Sequence, residues 1–374
     1  MQPEELQGFL ISKDVATVSG ISKTYSRNNR IPDMNSSVLE TTHLTTGYMS
    51  QRRERKVVST DLSLALIQGE VVCLIGPNGV GKSTLLRTLS GLHPPLGGHI
   101  LLNSRDITTF TPKELARNLS IVLTERVHVG ALPVFTLVAL GRFPYTDWAG
   151  KLRPKDVEVV TWAINAVGAV DLTNRLVHEL SDGERQKVMI ARALAQQPKV
   201  MILDEPTAFL DLPRRIEMLT LLRRLARDTG TAILLSTHDL DVALRTADLL
   251  WILPKDGTLQ TGAPEDLVLS GALEQAFKND GVTFDQQHGS FSMNTRRDTQ
   301  ITLQGDGLYA LWTRKALERE GFAVRISPNG SRIQVKIHGQ PEATRWHLQI
   351  QDQCSEHSTI YELLSTLRNT VKPL

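Results

Sequence analysis

Residues Val71 to Leu89 read VVCLIGPNGVGKSTLLRTL: an apolar run, a glycine-rich turn and a helix-forming stretch in immediate succession. Val71 to Ile75 is apolar without alternation, the pattern of a central parallel strand covered on both faces. Gly76 to Ser83 is G-x-x-x-x-G-K-S, a phosphate-binding loop, in which Gly79 and Gly81 remove side chains that would keep backbone N–H groups from a phosphate. Lys82 is then expected along the β- and γ-phosphates and Ser83 on Mg²⁺. The helix that starts at Lys82 aims its positive end at the same anion. Leu85, Leu86, Leu89 and Leu92 are expected to form its apolar stripe.

A chain of 374 residues is long for one domain, so one full-sized domain and a smaller one are expected. The balance of 42 basic against 40 acidic residues gives no footprint for nucleic acid as a main partner. Of the two cysteines, Cys73 falls inside the apolar strand, which favours a packed thiol over a disulfide and a reducing compartment. No apolar run approaches the roughly 18 residues of a membrane-spanning helix, and the N-terminus lacks a signal-peptide pattern. The sequence therefore reads as neither integral to a membrane nor secreted by that route.

Residues 1–38 are polar and aperiodic and read as a flexible extension. VLETTHLTTGY (38–48) predicts one edge strand and VVSTDLSLALIQGE (57–70) another, alternating through Leu62, Leu64 and Leu66. Tyr48, at the end of the first, suits stacking on an adenine or, equally simply, a half-buried strand position. GGHILLNSRDI (97–107) reads as a return strand and Ser120 to Leu123 as a buried one. A largely helical region follows to about Val177, with Val157, Val160, Ile164 and Val167 on one face. Pro133 to Trp148 is apolar, mostly core, with part of it available as an exposed docking surface.

LSDGERQ (180–186) opens another helix: Ser181 is a good N-cap with Glu184 three residues on, and the helix start is a second place for an anion. Val200 to Leu203 predicts a buried strand that delivers Asp204 and Glu205 at its C-terminal end. Ala232 to Ser236 predicts another that delivers His238. In an open α/β sheet ligands sit outside the carboxyl ends of the strands, so the phosphate loop, Asp204, Glu205 and His238 are expected to meet there. Asp204 suits Mg²⁺, and Glu205 suits the water that attacks a γ-phosphate. The simpler readings, a helix cap for the acidic pair and a surface contact for the histidine, are weaker against three coincident strand ends.

Taken in order, GPNGVGKST (76–84), LSDGERQ (180–186), VMILDEPT (200–207), AFLD (208–211) and STHD (236–239) resemble the ATP-binding subunit of an ABC transporter over about residues 39–277. The resemblance implies an α/β P-loop NTPase with a mixed sheet core, an antiparallel edge sheet and a helical subdomain. It implies ATP and Mg²⁺ as ligands. Gly76, Pro77, Asn78, Gly79, Val80, Gly81, Lys82, Ser83 and Thr84 then cradle the phosphates, with Tyr48 stacked on adenine. Ser83 and Asp204 serve the metal, Glu205 is the catalytic carboxylate, His238 the switch histidine at the γ-phosphate, and Asp211 a signal between halves of a dimer. Ser181 and Gly183 of one copy are expected to face the phosphate loop of a second, head to tail. VALGRFPY (138–145) looks most like ATPases of importers for ferric siderophores, haem or cobalamin, which implies a permease in the membrane, an extracytoplasmic binding protein acting indirectly, and a place on the cytoplasmic face. The sequence departs from the family pattern in two places: in the signature, where the usual second-glycine pair is Asp182-Gly183 and Glu184 stands where glutamine is commoner, and at Glu125, where the family usually has the glutamine that reaches Mg²⁺.

Beyond Asp280 the alternation of Ile301/Leu303, Val324/Ile326, Ile333/Val335/Ile337 and Trp346/Leu348/Ile350 predicts strands with one solvated face. Leu308 to Glu320 and Ile360 to Leu367 read as covering helices. The domains expected are thus an extension over 1–38, an ATP-binding domain over 39–280 and a small α+β accessory domain over 285–374, regulatory or dimer-supporting. Two other functions fit parts of the pattern. A soluble ATP switch on DNA or ribosomes usually carries a second cassette or an insertion absent here; a nucleotide-binding regulator that hydrolyses little is at odds with the intact Lys82, Asp204, Glu205 and His238.

Overall fold

The computed structural model describes residues 37–49, 55–124, 131–255, 258–277, 282–285, 289–293, 299–326, 332–338 and 344–371. The chain divides into two compact units: the first runs to Lys278 and takes in Phe284–Ser290, and the second holds Asn279–Thr283 and Phe291–Leu374. The extension expected over the first 38 residues lies outside the described residues except for Ser37 and Val38, which already belong to a strand.

The first unit runs β1 (Ser37–Met49), β2 (Arg55–Leu62), β3 (Ala65–Ile67), β4 (Val71–Ile75), α1 (Lys82–Leu89), β5 (Gly97–Leu102), β6 (Arg105–Asp106), α2 (Pro112–Asn118), β7 (Leu119–Val122), α3 (Val134–Ala139), α4 (Pro154–Ala166) and α5 (Asp182–Ala195). It continues β8 (Val200–Leu203), α6 (Leu212–Thr229), β9 (Ala232–Ser236), α7 (Leu240–Thr246), β10 (Leu249–Ile252), β11 (Gln260–Gly262), α8 (Pro264–Leu269) and α9 (Ala272–Ala276). The main sheet has the order β11-β10-β4-β9-β8-β7, antiparallel only at β11, so the strand that leads into the phosphate loop lies in its middle. All five residues of β4 are buried. Val71, Cys73 and Ile75 face a core shared with α3, α4, α5 and α6, while Val72 and Leu74 face a second core made with α1 and the edge sheet. Burial on both faces is why the run does not alternate.

The edge sheet, in the order β2-β1-β5-β6 with β3 also on β1, is antiparallel. Residues 57–70 do not make the single strand their alternation predicts. The chain breaks between β2 and β3, and the Thr41 hydroxyl bridges the break, donating to Leu62 O at 2.9 Å and accepting from Leu64 N at 2.9 Å. Leu62, Leu64 and Leu66 remain buried across it, so the apolar pattern survives the loss of the ladder. Residues 97–107 likewise form a hairpin, because Asn103 and Ser104 take positive φ (49° and 62°) in the two-residue turn between Leu102 and Arg105. The stripe of α1 is Leu85, Leu86 and Leu89, all fully buried; Leu92 lies past the helix end and is exposed. Residues 264–277 make two short helices, divided at Gly271 (φ 74°).

Strands β12 (Val282–Asp285) and β13 (Ser290–Met293) pair with each other. The second unit then runs β14 (Thr299–Gln304), α10 (Gly307–Arg319), β15 (Phe322–Ile326), β16 (Ile333–His338), β17 (Arg345–Ile350), β18 (Gln353–His357) and α11 (Ile360–Thr370). Its sheet has the order β15-β14-β16-β17-β18, parallel through β15, β14 and β16 and antiparallel beyond. Ile301, Leu303, Val335, Trp346 and Leu348 on one face of the sheet pack with Leu317 of α10 and Leu363, Leu364 and Leu367 of α11. Trp346 Nε1 donates to the buried Thr313 hydroxyl at 2.7 Å, so the indole is satisfied inside this core.

No helix among the described residues is long and apolar enough to cross a membrane. Neither cysteine is in a disulfide: Cys73 is buried and Cys354 exposed. Burial, with the Asp248 carboxylate adding to it, pushes the Cys73 thiol up to about 12. A thiol-reactive dye is therefore expected to label one cysteine per native chain and two after denaturation, and Cys354→Ser to leave the native chain unlabelled. Labelling of two in the native state would show that the β4 region opens.

Candidate functional site

The loop after β4 is set by its own backbone. Gly81 takes φ 109° and precedes α1; a Cβ there would lie 2.1 Å from Val58 Cγ1 of β2. Gly79 (φ 77°) has nothing within 4 Å of where a Cβ would stand, so its glycine serves backbone conformation, whereas Gly81 makes room for a neighbour, as does Gly76, where a Cβ would lie 2.3 Å from Leu253 O. Lys82 is buried, and its Nζ donates to Gly76 O at 2.9 Å and Pro77 O at 3.1 Å. Burial holds its ammonium below the usual lysine range, while the Glu205 and Asp204 carboxylates pull it back up. A buried cation facing two carboxylates at the end of a glycine-rich loop is a site for an anion with a metal counter-ion.

The sheet brings the other candidates to the same edge. β8 ends at Leu203, between β7 and β9, and delivers Asp204 and Glu205; β9 ends at Ser236 and delivers His238. Ser83 Oγ donates to Asp204 Oδ1 at 3.3 Å, which ties the loop to the acidic pair. His238 Nε2 contacts Glu205 Oε1. Glu205 itself takes φ 49°, in the left-handed region that non-glycine residues seldom occupy. Two residues that the sequence did not single out hold this pair. The fully buried Ser236 donates to Asp204 Oδ1 at 2.7 Å and accepts from Glu205 N at 2.9 Å. Thr124 Oγ1 donates to Asp204 O at 2.7 Å. A lone Ser or Thr beside a strand end carries no pattern in sequence.

Ser181 caps α5, accepting from Glu184 N, and Glu184 accepts from both the Ser181 N–H and hydroxyl at 2.8 Å. Those hydrogen bonds hold the Glu184 carboxyl below its usual range, so Glu184 in place of the family's glutamine completes a capping box. Gly183, the second residue of the same helix, is buried against Leu210 and Arg214. Asp211 caps α6, accepting from Arg214 N at 3.0 Å. Tyr48 is exposed and pairs across the strands with Lys56, two residues from the Val58 that touches the loop. Glu125 lies outside the described residues. Among the described residues no group of three His, Cys, Asp or Glu side chains converges to hold a metal ion. Ser83 and Asp204 are instead a pair of hard oxygen donors, the set that binds Mg²⁺ together with water and phosphate.

The segment VALGRFPY has a structural reason that its spelling did not reveal. A Cβ on Gly141 would lie 2.2 Å from Arg192 O of α5, and Arg142 is buried against Asp156 of α4. Phe143, by contrast, is exposed, as are Leu140 and Trp148.

Residues 59–208 match the family model described as ABC transporter, and residues 298–368 match the one described as Iron ABC transporter C-terminal domain. An uncharacterized ABC transporter ATP-binding protein of Methanocaldococcus jannaschii is 41% identical over 256 residues, covering 68% of this chain and 87% of that protein. The ferric enterobactin transport ATP-binding protein FepC of Escherichia coli is 38% identical over 234 residues, 63% of this chain and 84% of that one. Among solved structures, cbiO1 of Clostridium perfringens, part of the ABC transporter complex cbiONQ, superposes with a TM-score of 0.55 at 27% identity, covering 64% of this chain and 96% of that one. With most of the length of such relatives matched and the phosphate loop, acidic pair and histidine gathered at one sheet edge, the chain belongs to the ATP-binding subunits of ABC transporters, P-loop ATPases of transport.

Proposed function

We propose that this chain hydrolyses ATP to power an importer of a ferric siderophore, or of a related chelate such as haem or cobalamin, through separate permease subunits in the membrane. The observation that carries the ATPase reading is the gathering of Lys82, Asp204, Glu205 and His238 beyond the C-terminal ends of the adjacent strands β4, β8 and β9. The likeness to a ferric enterobactin protein and the iron-transporter match of the second unit support an iron chelate as cargo. The chain is placed at the cytoplasmic face, where ATP is available, and an extracytoplasmic binding protein would act on it only through the permease. Exposed Leu140, Phe143 and Trp148 support docking on such a partner.

In this reading Gly76 to Thr84 cradle the phosphates, Tyr48 stacks on the adenine, and Lys82 neutralises phosphate charge. Ser83, Asp204 and Glu125 hold Mg²⁺, which when bound supplies charge neutralisation on the phosphate oxygens. Glu205 orients and takes the proton of the attacking water, and His238, already against Glu205, reaches the γ-phosphate. Ser181 and Gly183 of a second copy complete the site. Ser181 and Asp182 at that helix start are exposed, as are Phe209, Leu212 and Ile216 beside Asp211, which supports a contact between copies there.

A mixing experiment tests the shared site. Lys82→Ala and Ser181→Arg proteins are each expected to be inactive. A heterodimer of the two keeps one intact site, so random pairing should restore about a quarter of wild-type ATPase activity. Heterodimers that form and hydrolyse nothing would exclude the head-to-tail arrangement.

A further inference from the structure

The hydrogen bonds of Thr124 and Ser236 fall on one peptide group. Thr124 Oγ1 donates to the carbonyl of Asp204 at 2.7 Å, and Ser236 Oγ accepts the N–H of Glu205 at 2.9 Å. These are the two polar atoms of the single planar unit that joins the acidic pair. The hydroxyls come from opposite sides: Thr124 follows β7, Ser236 ends β9, and β8 lies between them. Ser236 also donates its only proton to Asp204 Oδ1 at 2.7 Å, which leaves its lone pairs for the Glu205 N–H.

We propose that Thr124 and Ser236 are positioning residues that clamp the Asp204–Glu205 peptide and so fix where the Glu205 carboxylate stands. The reasoning rests on the reading of Glu205 as the carboxylate that orients water. With the peptide plane held at both its carbonyl and its N–H, rotation about the Asp204 ψ and Glu205 φ bonds is blocked. Glu205 is thereby kept at φ 49°, a conformation that its side chain alone would not favour and from which its carboxylate meets His238. Without the clamp the peptide is free to turn over and Glu205 to relax to negative φ, carrying its carboxylate away from the attacking position. The phosphate loop bonds the Asp204 side chain and not this peptide, so hydrolysis should suffer more than ATP binding. Thr124 gives the cleaner probe, because it touches the carbonyl alone, whereas Ser236 also serves the Asp204 carboxylate.

The test is single-turnover ATP hydrolysis and equilibrium ATP binding by the full chain, for wild type, Thr124→Val, Thr124→Ser, Ser236→Ala, the double Thr124→Val/Ser236→Ala, and Glu205→Gln. Thr124→Val and Ser236→Ala are each expected to slow hydrolysis about 10- to 100-fold, the usual cost of losing an outer-shell hydrogen bond, and for Thr124→Val, whose hydroxyl touches neither the phosphate loop nor the Asp204 side chain, ATP affinity should change less than about threefold because ground-state binding is spared. Thr124→Ser, which keeps the hydroxyl, should run near the wild-type rate. The double variant should lose less than the product of the single losses, since both act on one peptide. If Glu205→Gln is inactive and Thr124→Val hydrolyses at the wild-type rate, the clamp is wrong. If Thr124→Val weakens ATP binding in step with rate and Thr124→Ser does not restore it, Thr124 is merely structural and the clamp is equally wrong. If Glu205→Gln itself hydrolyses normally, the reading of Glu205 fails, and the proposal falls with it for that distinct reason.

Discussion

A Glu205→Gln protein is expected to bind ATP as wild type does and to hydrolyse it at least about 100-fold more slowly, the range lost when a general base is removed. The amide matches the carboxylate in shape and can still accept from His238 Nε2, so the contact that joins the ends of β8 and β9 is retained. What is lost is the negative charge that holds a water and receives its proton. Backbone strain is unchanged, because glutamine meets the same φ of 49° under the same hydrogen bonds to the flanking peptide. Lys82 retains Asp204 as a neighbouring carboxylate, and its bonds to the loop carbonyls are not altered. ATP should therefore accumulate unhydrolysed and hold two copies together, visible as a nucleotide-dependent dimer in size-exclusion chromatography. Hydrolysis at the wild-type rate would remove Glu205 from the chemistry and leave His238 or Asp204 to be tested in its place.

The parts of this site that were legible in the sequence are those whose chemistry forces a spacing. A phosphate loop needs glycines where N–H groups converge, and a strand buried on both faces must be continuously apolar, so Val71 to Ser83 could be read directly. The acidic pair and His238 could be placed because parallel strands deliver their C-terminal neighbours to one edge. Thr124 and Ser236 escaped because a hydroxyl acts through a single hydrogen bond and imposes no periodicity. The break after Leu62 escaped for a related reason: Thr41 satisfies Leu62 O and Leu64 N, so the leucines stay buried while the ladder stops. In the second unit β18 was missed because the face it turns inward carries Ser355 and His357, half-buried and buried but polar, so no apolar alternation marks this outermost strand.

The largest stability effect is expected at Arg142. Its side chain is 3% exposed and that of Asp156 is 6% exposed, with Nε and Nη2 at 3.0 and 2.9 Å from Asp156 Oδ1. Nη1 donates to Ala195 O, on the last residue of α5, at 2.8 Å and to Gln197 Oε1, just beyond it, at 2.9 Å, and the guanidinium lies 3.8 Å from the Tyr145 ring centroid. Tyr145 in turn donates to Gln196 O at 2.8 Å. One cation therefore joins the 140s segment to α4 and to the C-terminal end of α5, whose other end carries Ser181 and Gly183. Arg142→Ala leaves the Asp156 carboxylate buried without its counter-charge and the Ala195 carbonyl without its donor. Removing one partner of a buried pair costs about 3–5 kcal/mol. In a unit of this size that lowers the melting temperature by about 10 °C. Asp156 Oδ2 keeps one partner, the Arg153 N–H at 3.0 Å, so its charge is partly satisfied and the helical region should loosen rather than unfold outright. Arg142→Met combined with Asp156→Leu removes both charges and should recover part of the loss, because an apolar pair of similar volume needs no counter-ion. Recovery should be incomplete, since the carbonyl of Ala195 still lacks a donor. Thermal and urea denaturation of the single and double variants measures this directly, and an Arg142→Ala chain within about 1 kcal/mol of wild type would mean that water reaches and satisfies Asp156.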